Sequence, residues 1–88
     1  MKKTKIVIIE NEVDLAESIS DFLSIKGFEA TIYLDGESAI EMIQTKLDDE
    51  IPDIIICDLM MHGMDGYQVL ETLKGIKRFE YIPILNLT

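Results

Sequence analysis

Acidic or hydroxyl side chains stand directly after three apolar segments of this 88-residue chain. Asp58 follows the apolar run at residues 54–57, Glu10 follows the run at 5–9, and Thr88 ends the stretch that begins at Tyr81. Short runs of this kind are typical of buried parallel strands, whose carboxyl ends meet at one edge of a sheet. Carboxylate and hydroxyl oxygens gathered there would suit Mg²⁺ and a phosphoryl group. The spacing therefore predicts a phosphoryl site at that edge.

The same polar residues also have purely structural interpretations. Aspartate favours turns, and Asn11 or Glu12 could cap the helix that is predicted to follow, where the helix dipole favours acids. Capping and metal binding can hold at once, so neither interpretation excludes the other. Cys57 is the single cysteine of the chain and is most simply a buried strand residue.

Alternating strands and helices would position these side chains. We expect a first helix over residues 12–26 that ends at Gly27, a second strand over 28–34, a second helix after Asp35 and a third helix capped by Asp65. Right-handed crossovers between the strands would give a parallel sheet. The predicted apolar faces of the first and second helices are Leu15, Ile19, Phe22 and Leu23, and Ala39, Ile40, Ile43 and Leu47.

The order and spacing of these segments resemble the receiver domain of two-component response regulators. The resemblance extends from Lys5 to Thr88. It rests on the acidic cluster after the first strand, on D-x-x-M-x-x-M-D-G at residues 58–66 and on I-P-I-x-x-L-T at 82–88. It implies an α/β fold of the flavodoxin-like type, as in chemotaxis response regulators, with a parallel sheet in the order 2-1-3-4. Residues 1–88 would form a single receiver domain, truncated after the fourth strand and lacking the family's fifth strand and last two helices.

The resemblance also implies a role for each residue at the predicted site. Asp58 would be the phosphoacceptor, which receives a phosphoryl group from a partner histidine kinase or phosphotransfer protein. Glu10, Asn11, Asp58 and the backbone carbonyl of Met60 would bind Mg²⁺, and Thr88 would be the switch hydroxyl. The metal would be needed because a carboxylate that attacks an anionic phosphoryl group meets charge repulsion.

The chain departs from the family pattern at three places. Asn11 replaces the second acid of the metal-binding pair, so Mg²⁺ should bind more weakly unless Glu12 or Asp14 compensates. His62 replaces a proline, and a histidine in such a loop is most simply a solvated surface residue. No lysine can be assigned the role of the family lysine that follows the fifth strand.

These departures leave more than one function open. A phosphorylated receiver that is not itself an enzyme is the first hypothesis, and a pseudo-receiver that acts as a protein-interaction module without phosphorylation is the alternative. A phosphatase with an aspartyl nucleophile would need a second acid two residues after Asp58, where Met60 stands. We therefore expect no enzyme of that class.

Composition restricts the partners. The net charge of −9 argues against nucleic-acid binding by this segment, no apolar run is long enough to cross a membrane, and the N-terminus lacks the architecture of a signal peptide. We expect a cytoplasmic module. Without a fifth strand, the outer edge of the fourth strand would be open, and part of the first helix and its sheet face would form an exposed apolar patch. We therefore expect self-association through the exposed edge of the fourth strand.

Overall fold

A four-stranded parallel sheet with helices on both faces forms the molecule. The structure, a computed structural model, describes residues 2–61 and 63–87. The strands lie in the order β2-β1-β3-β4, which confirms the predicted flavodoxin-like order 2-1-3-4. The elements are β1 (Lys5–Ile9), α1 (Val13–Ile25), β2 (Glu29–Tyr33), α2 (Gly36–Gln44), β3 (Ile54–Asp58), α3 (Gly66–Lys74), a 3-10 turn (Lys77–Phe79) and β4 (Ile84–Leu87).

The ends of α1 follow local backbone chemistry. Glu12 occupies the N-cap position, but its side chain makes no capping hydrogen bond. At the other end, the N–H of Gly27 donates to Ser24 and that of Phe28 donates to Leu23, both at 3.0 Å. This pair of hydrogen bonds is typical of a helix end at which one residue adopts a left-handed conformation. Gly27 is that residue, with a φ of 93°. The prediction that Gly27 ends the helix is confirmed.

The core lies in two layers on either side of the sheet. Helices α2 and α3 cover one face, where Ile9, Ile55, Cys57, Val69 and Leu73 are fully buried. On the other face, α1 lies over β1 and β2 and buries a smaller cluster around Ile6, Ile8 and Ala16. The residues 6–9 of β1 and 54–57 of β3 are therefore all apolar, as is typical of the central strands of a parallel sheet between two helical layers.

The predicted helix faces are partly wrong. Leu47 is 68% exposed because α2 ends at Gln44, so Leu47 lies beyond the helix. Leu15 and Phe22 are 40% and 60% exposed because they lie on a flank of α1, beside the stripe that packs on the sheet. Their exposure fits the expected apolar patch on the first helix.

Two basic side chains attach the segment before β4 to the rest of the fold. The Lys74 ammonium donates to the carbonyls of Glu80 and Ile82, at 2.8 Å each. Arg78 donates to the carbonyl of Lys46 and pairs with Asp48. These contacts fix the path by which the chain enters β4. Among the described residues, no helix has the length and hydropathy to cross a membrane.

Candidate functional site

The sheet brings Glu10 and Asp58 to neighbouring positions at the carboxyl ends of β1 and β3. Ile9 is paired with Cys57 in the register of these strands, and the two acids come next. The backbone N–H of Glu10 donates to the carbonyl of Tyr33 at 3.0 Å, which continues the ladder to β2 past the last strand residue. The two predicted carboxylates therefore lie together at one edge of the sheet.

Burial dominates the electrostatics of Glu10. Its side chain is 3% exposed, and the backbone N–H of Glu12 donates to Oε2 at 3.4 Å. Burial raises the pKa of Glu10 above its ordinary value, because a charged carboxylate loses hydration, and the negative charge of Asp58 adds to this rise. The hydrogen bond from Glu12 acts in the opposite direction. A cation bound next to Glu10 would therefore offset the free-energy cost of ionising this buried carboxyl group.

The loop after β3 orients the Asp58 carboxylate. The backbone N–H of Met60 donates to Oδ1 of this carboxylate at 3.0 Å. Gly66 begins α3 directly against this loop, and its N–H donates to the carbonyl of Leu59 at 3.3 Å. A Cβ at Gly66 would lie 2.5 Å from the carbonyl oxygen of Asp58, so only glycine permits this approach.

Asp65 holds the start of α3 beside the same loop. Its carboxylate accepts from the backbone N–H of Gln68, and the Gln68 side chain accepts from the N–H of Asp65, both at 2.9 Å. This capping box confirms the predicted role of Asp65 as a helix cap. The sequence pattern indicated no more than that role, whereas the structure also places Asp65 on the wall of a cleft next to Asp58.

That cleft has a volume of about 310 Å³ and opens at the carboxyl end of the sheet. Asn11 is exposed and forms part of the wall, so its amide oxygen is available to a ligand. Met60 is also exposed there. The remaining lining residues are Leu59, Met61 and Asp65. The cleft lies between the two loops that carry the predicted site residues.

Two predicted positions cannot be compared with the structure. Thr88, the predicted switch hydroxyl, and His62, the residue at the family's proline position, lie outside the described residues. Glu12 and Asp14, which could compensate for Asn11, are both exposed. Compensation by either acid therefore stays a prediction.

The donors at this edge suit a hard divalent cation that keeps several waters. Residues 2–61 and 63–87 contain no group of three or more acidic, histidine or cysteine side chains placed to hold a metal. Glu10 and Asp58 offer two carboxylates, and Asn11 offers a neutral amide oxygen. Mg²⁺ is commonly bound by one or two carboxylates, with water in its other positions. The chemistry of the set fits Mg²⁺.

Cys57 lies next to this site but does not belong to its chemistry. The thiol is completely buried, as predicted for a strand residue, and it donates to the carbonyl of Asp58 at 3.4 Å. Burial, together with the charges of Asp58, Glu10 and Asp65, raises the pKa of Cys57 to about 11. A thiol in this state is a poor nucleophile.

Comparison with known proteins establishes the family. The family model described as the response regulator receiver domain matches residues 6–88. The chain therefore belongs to the receiver domains of two-component response regulators, which are phosphoryl-accepting signalling modules. The regulatory protein VanRc of Enterococcus gallinarum is 33% identical over 84 residues, which are 96% of this chain and 33% of VanRc.

Solved structures share the fold. The receiver domain of a signal transduction histidine kinase from Syntrophus aciditrophicus matches with a TM-score of 0.87 and 30% identity, over 97% of this chain and 61% of that one. The chemotaxis protein CheY4 of Vibrio cholerae matches with a TM-score of 0.87 over 97% of this chain and 68% of its own, and its 22% identity supports the fold alone. The chain spans about a third of the length of the curated relatives it matches.

Proposed function

We propose that this chain is a receiver that accepts a phosphoryl group on Asp58 in a reaction that requires Mg²⁺. The observation that carries the proposal is the buried carboxylate of Glu10, held beside Asp58 at the carboxyl edge of the sheet. A buried acid next to a second acid is costly without a cation. Electrostatic repulsion in a site of this kind is reduced most when a divalent cation binds together with the anionic group.

The geometry supports a simple division of roles within the Asp58 carboxylate. Met60 holds Oδ1 through its backbone N–H, so Oδ2 would be the oxygen that attacks phosphorus. In the reaction an oxygen–phosphorus bond forms at Asp58, while the bond from phosphorus to the donor's nitrogen or oxygen breaks and the donor keeps that electron pair. Bound Mg²⁺, held by Glu10, Asn11, Asp58 and the Met60 carbonyl, would neutralise the charge that these anions bring together.

The partners and the switch belong to the same proposal. A histidine kinase or phosphotransfer protein would be the phosphoryl donor, Thr88 would be the switch hydroxyl, and the module would act in the cytoplasm without being an enzyme. Residues 1–88 would act as one receiver domain. Self-association is part of the proposal as well, since β4 pairs only with β3 among the described strands and its outer edge is open.

Mass spectrometry of the intact chain tests the requirement for Mg²⁺. We expect the mass of one phosphoryl group to be added during incubation with a small phosphodonor and Mg²⁺, and no addition when a chelator removes the metal. Equal addition in both samples would contradict the proposed role of the ion.

The pseudo-receiver remains a second candidate because of Asn11. With an amide at this position, only Glu10 and Asp58 would be charged ligands. The binding free energy of Mg²⁺ would therefore be less favourable. We expect Asn11→Asp to tighten Mg²⁺ binding about tenfold, which corresponds to about 1.4 kcal/mol. Calorimetric titration measures this directly.

The exposed Gln44, at the end of α2, provides the matched control. Gln44→Glu makes the same change from amide to carboxylate away from the cleft and should leave Mg²⁺ affinity unchanged. If the native chain binds no Mg²⁺ and Asn11→Asp restores binding, the pseudo-receiver is the better description. If Asn11→Asp and Gln44→Glu behave alike, Asn11 has no role at the metal.

A further inference from the structure

The backbone of Leu59, the residue after Asp58, is held from two sides. Its N–H donates to the carbonyl of Leu87 in β4 at 3.4 Å, and its carbonyl accepts from the N–H of Gly66 at the start of α3 at 3.3 Å. Asp58 itself is paired with Leu87 in the register of β3 and β4. The position of the loop after Asp58 therefore depends on both α3 and β4.

The far end of α3 is joined to the start of β4 by one side chain. Lys74 is the last residue of α3 and lies about 12 Å along the helix from Gly66. Its ammonium donates to the carbonyls of Glu80 and Ile82, at 2.8 Å each. We call these two hydrogen bonds the Lys74 bridge. Helix α3, the Lys74 bridge and β4 therefore form a closed path that starts and ends at Leu59.

The Lys74 bridge meets the chain just before β4 begins to pair with β3. Ile82 is followed by Pro83, whose carbonyl accepts from the N–H of Ile55 at 2.9 Å. A slip by two residues would keep every side chain on its face of the sheet but would move β4 by about 7 Å along β3. The Lys74 bridge opposes such a slip, because it ties Ile82 to a separate element. It thereby helps to keep Leu87 beside Asp58.

We propose that Lys74 is a positioning residue for the reaction at Asp58. Lys74 lies at the opposite end of α3 from the site and acts through the Lys74 bridge, which holds β4 and with it the N–H of Leu59. Hydrogen bonds from a charged donor are roughly twice as strong as neutral ones, so their removal should loosen β4. The effect on phosphorylation rests on the function proposed above, whereas the effect on Leu59 does not.

Hydrogen exchange of single backbone amides tests this coupling without phosphorylation. Lys74→Met keeps an unbranched side chain but removes the charge and its donors. We expect the amide of Leu59 to exchange about tenfold faster in this variant, because hydrogen bonds from a charged group are lost. The amide of Glu10, which donates to Tyr33 at the opposite edge of the sheet, is the internal reference. It should change by less than about twofold, because local opening at β4 does not expose it.

The rate of phosphorylation is the second readout. With Mg²⁺ and a small phosphodonor at saturating concentrations, Lys74→Met should accept the phosphoryl group about tenfold more slowly, because Asp58 is less often in position to attack. The affinity for Mg²⁺ should change less than the rate, since Glu10 and Asn11 belong to the β1 side of the site. Circular dichroism confirms that the variant is folded under the conditions of the assay.

Two matched variants make the test specific. Lys74→Arg keeps a cation that can donate to two carbonyls, and it should restore native behaviour in both readouts. Lys77→Met removes the same charge from an exposed residue outside the Lys74 bridge. It should leave the exchange of Leu59 and the rate of phosphorylation unchanged.

Three results would overturn the proposal. Leu59 and Glu10 could exchange faster by the same factor in Lys74→Met, which would limit Lys74 to a role in overall stability. Lys77→Met could behave as Lys74→Met does, which would assign the effect to net charge. Lys74→Met could accept the phosphoryl group at the native rate. A native chain that takes up no phosphoryl group would contradict the function proposed above, and the exchange of Leu59 would still decide whether Lys74 holds the loop.

Discussion

Glu10 is buried beside a second carboxylate, and its own burial together with the negative charge of Asp58 makes the ionisation of Glu10 more costly. The paired strand residues that precede the two acids are apolar, so they supply no opposite charge to the pair. Its cost is reduced when a cation lies between the oxygens. At the scale of single residues, the site is therefore a pair of carboxylates positioned to bind a metal ion.

The free-energy cost of ionising the buried Glu10 predicts how the stability of the fold depends on pH. Because the pKa of Glu10 is raised on folding, the folded state binds more protons than the unfolded state, and the free energy of unfolding falls as pH rises from Glu10's ordinary pKa through its raised value. In metal-free buffer at neutral pH, Glu10→Gln should raise the free energy of unfolding and flatten this pH dependence, because the neutral amide does not bear the cost of a buried charge. Urea denaturation at several pH values measures both effects.

Glu12→Gln is the control, because Glu12 carries the same charge two residues away and is exposed. It should change the pH dependence little. Added Mg²⁺ should stabilise the native chain more than it stabilises Glu10→Gln. Parallel stability curves for the native chain and Glu10→Gln would contradict the account of the buried pair.

The start of α3 sets the shape of the site at the scale of elements. Gly66 lets the helix approach the loop after β3, because a Cβ there would lie 2.5 Å from the Asp58 carbonyl oxygen and 2.7 Å from the Cα of Leu59. Both neighbours are backbone atoms that cannot turn away. We expect Gly66→Ala to lower the free energy of unfolding by about 1–3 kcal/mol, as measured by urea denaturation.

Gly75, at the other end of α3, is a matched control. Its backbone has a right-handed helical conformation, and the nearest atom to a Cβ there would be 3.4 Å away. Gly75→Ala should stabilise the chain by about 0.4–1 kcal/mol, through the lower entropy of the unfolded state. A loss of equal size in both variants would show that the close approach at Gly66 is unimportant.

Sequence patterns predict the strands and their order better than they predict which side chains are covered. The apolar runs that end at Glu10 and Asp58 identify β1 and β3, because a parallel strand buried on both faces must be apolar throughout. Phe22 fits a helical apolar stripe equally well, but its burial depends on whether another element lies beside α1. The close approach at Gly66 likewise depends on distances between elements, which periodicity does not contain.

At the scale of the whole molecule, charge opposes the proposed self-association. Each copy carries a net charge of −9, so association brings like charges together. Dissolved salt screens this repulsion beyond about 10 Å at an ionic strength of 0.1 M. We expect self-association to become stronger as the salt concentration rises, as measured by sedimentation equilibrium. Self-association that weakens with salt would show that ion pairs between copies hold it together.

The central claim, that Asp58 is the phosphoacceptor, is tested most directly by locating the phosphoryl group. The chain is incubated with Mg²⁺ and a small phosphodonor, its intact mass is measured, and the acyl phosphate is then reduced and the altered residue identified by peptide sequencing. Asp58→Asn and the exposed Asp53→Asn serve as matched variants. We predict one phosphoryl group at residue 58 in the native chain and in Asp53→Asn, and none in Asp58→Asn. An unmodified native chain, or equal modification of Asp58→Asn, would contradict the claim.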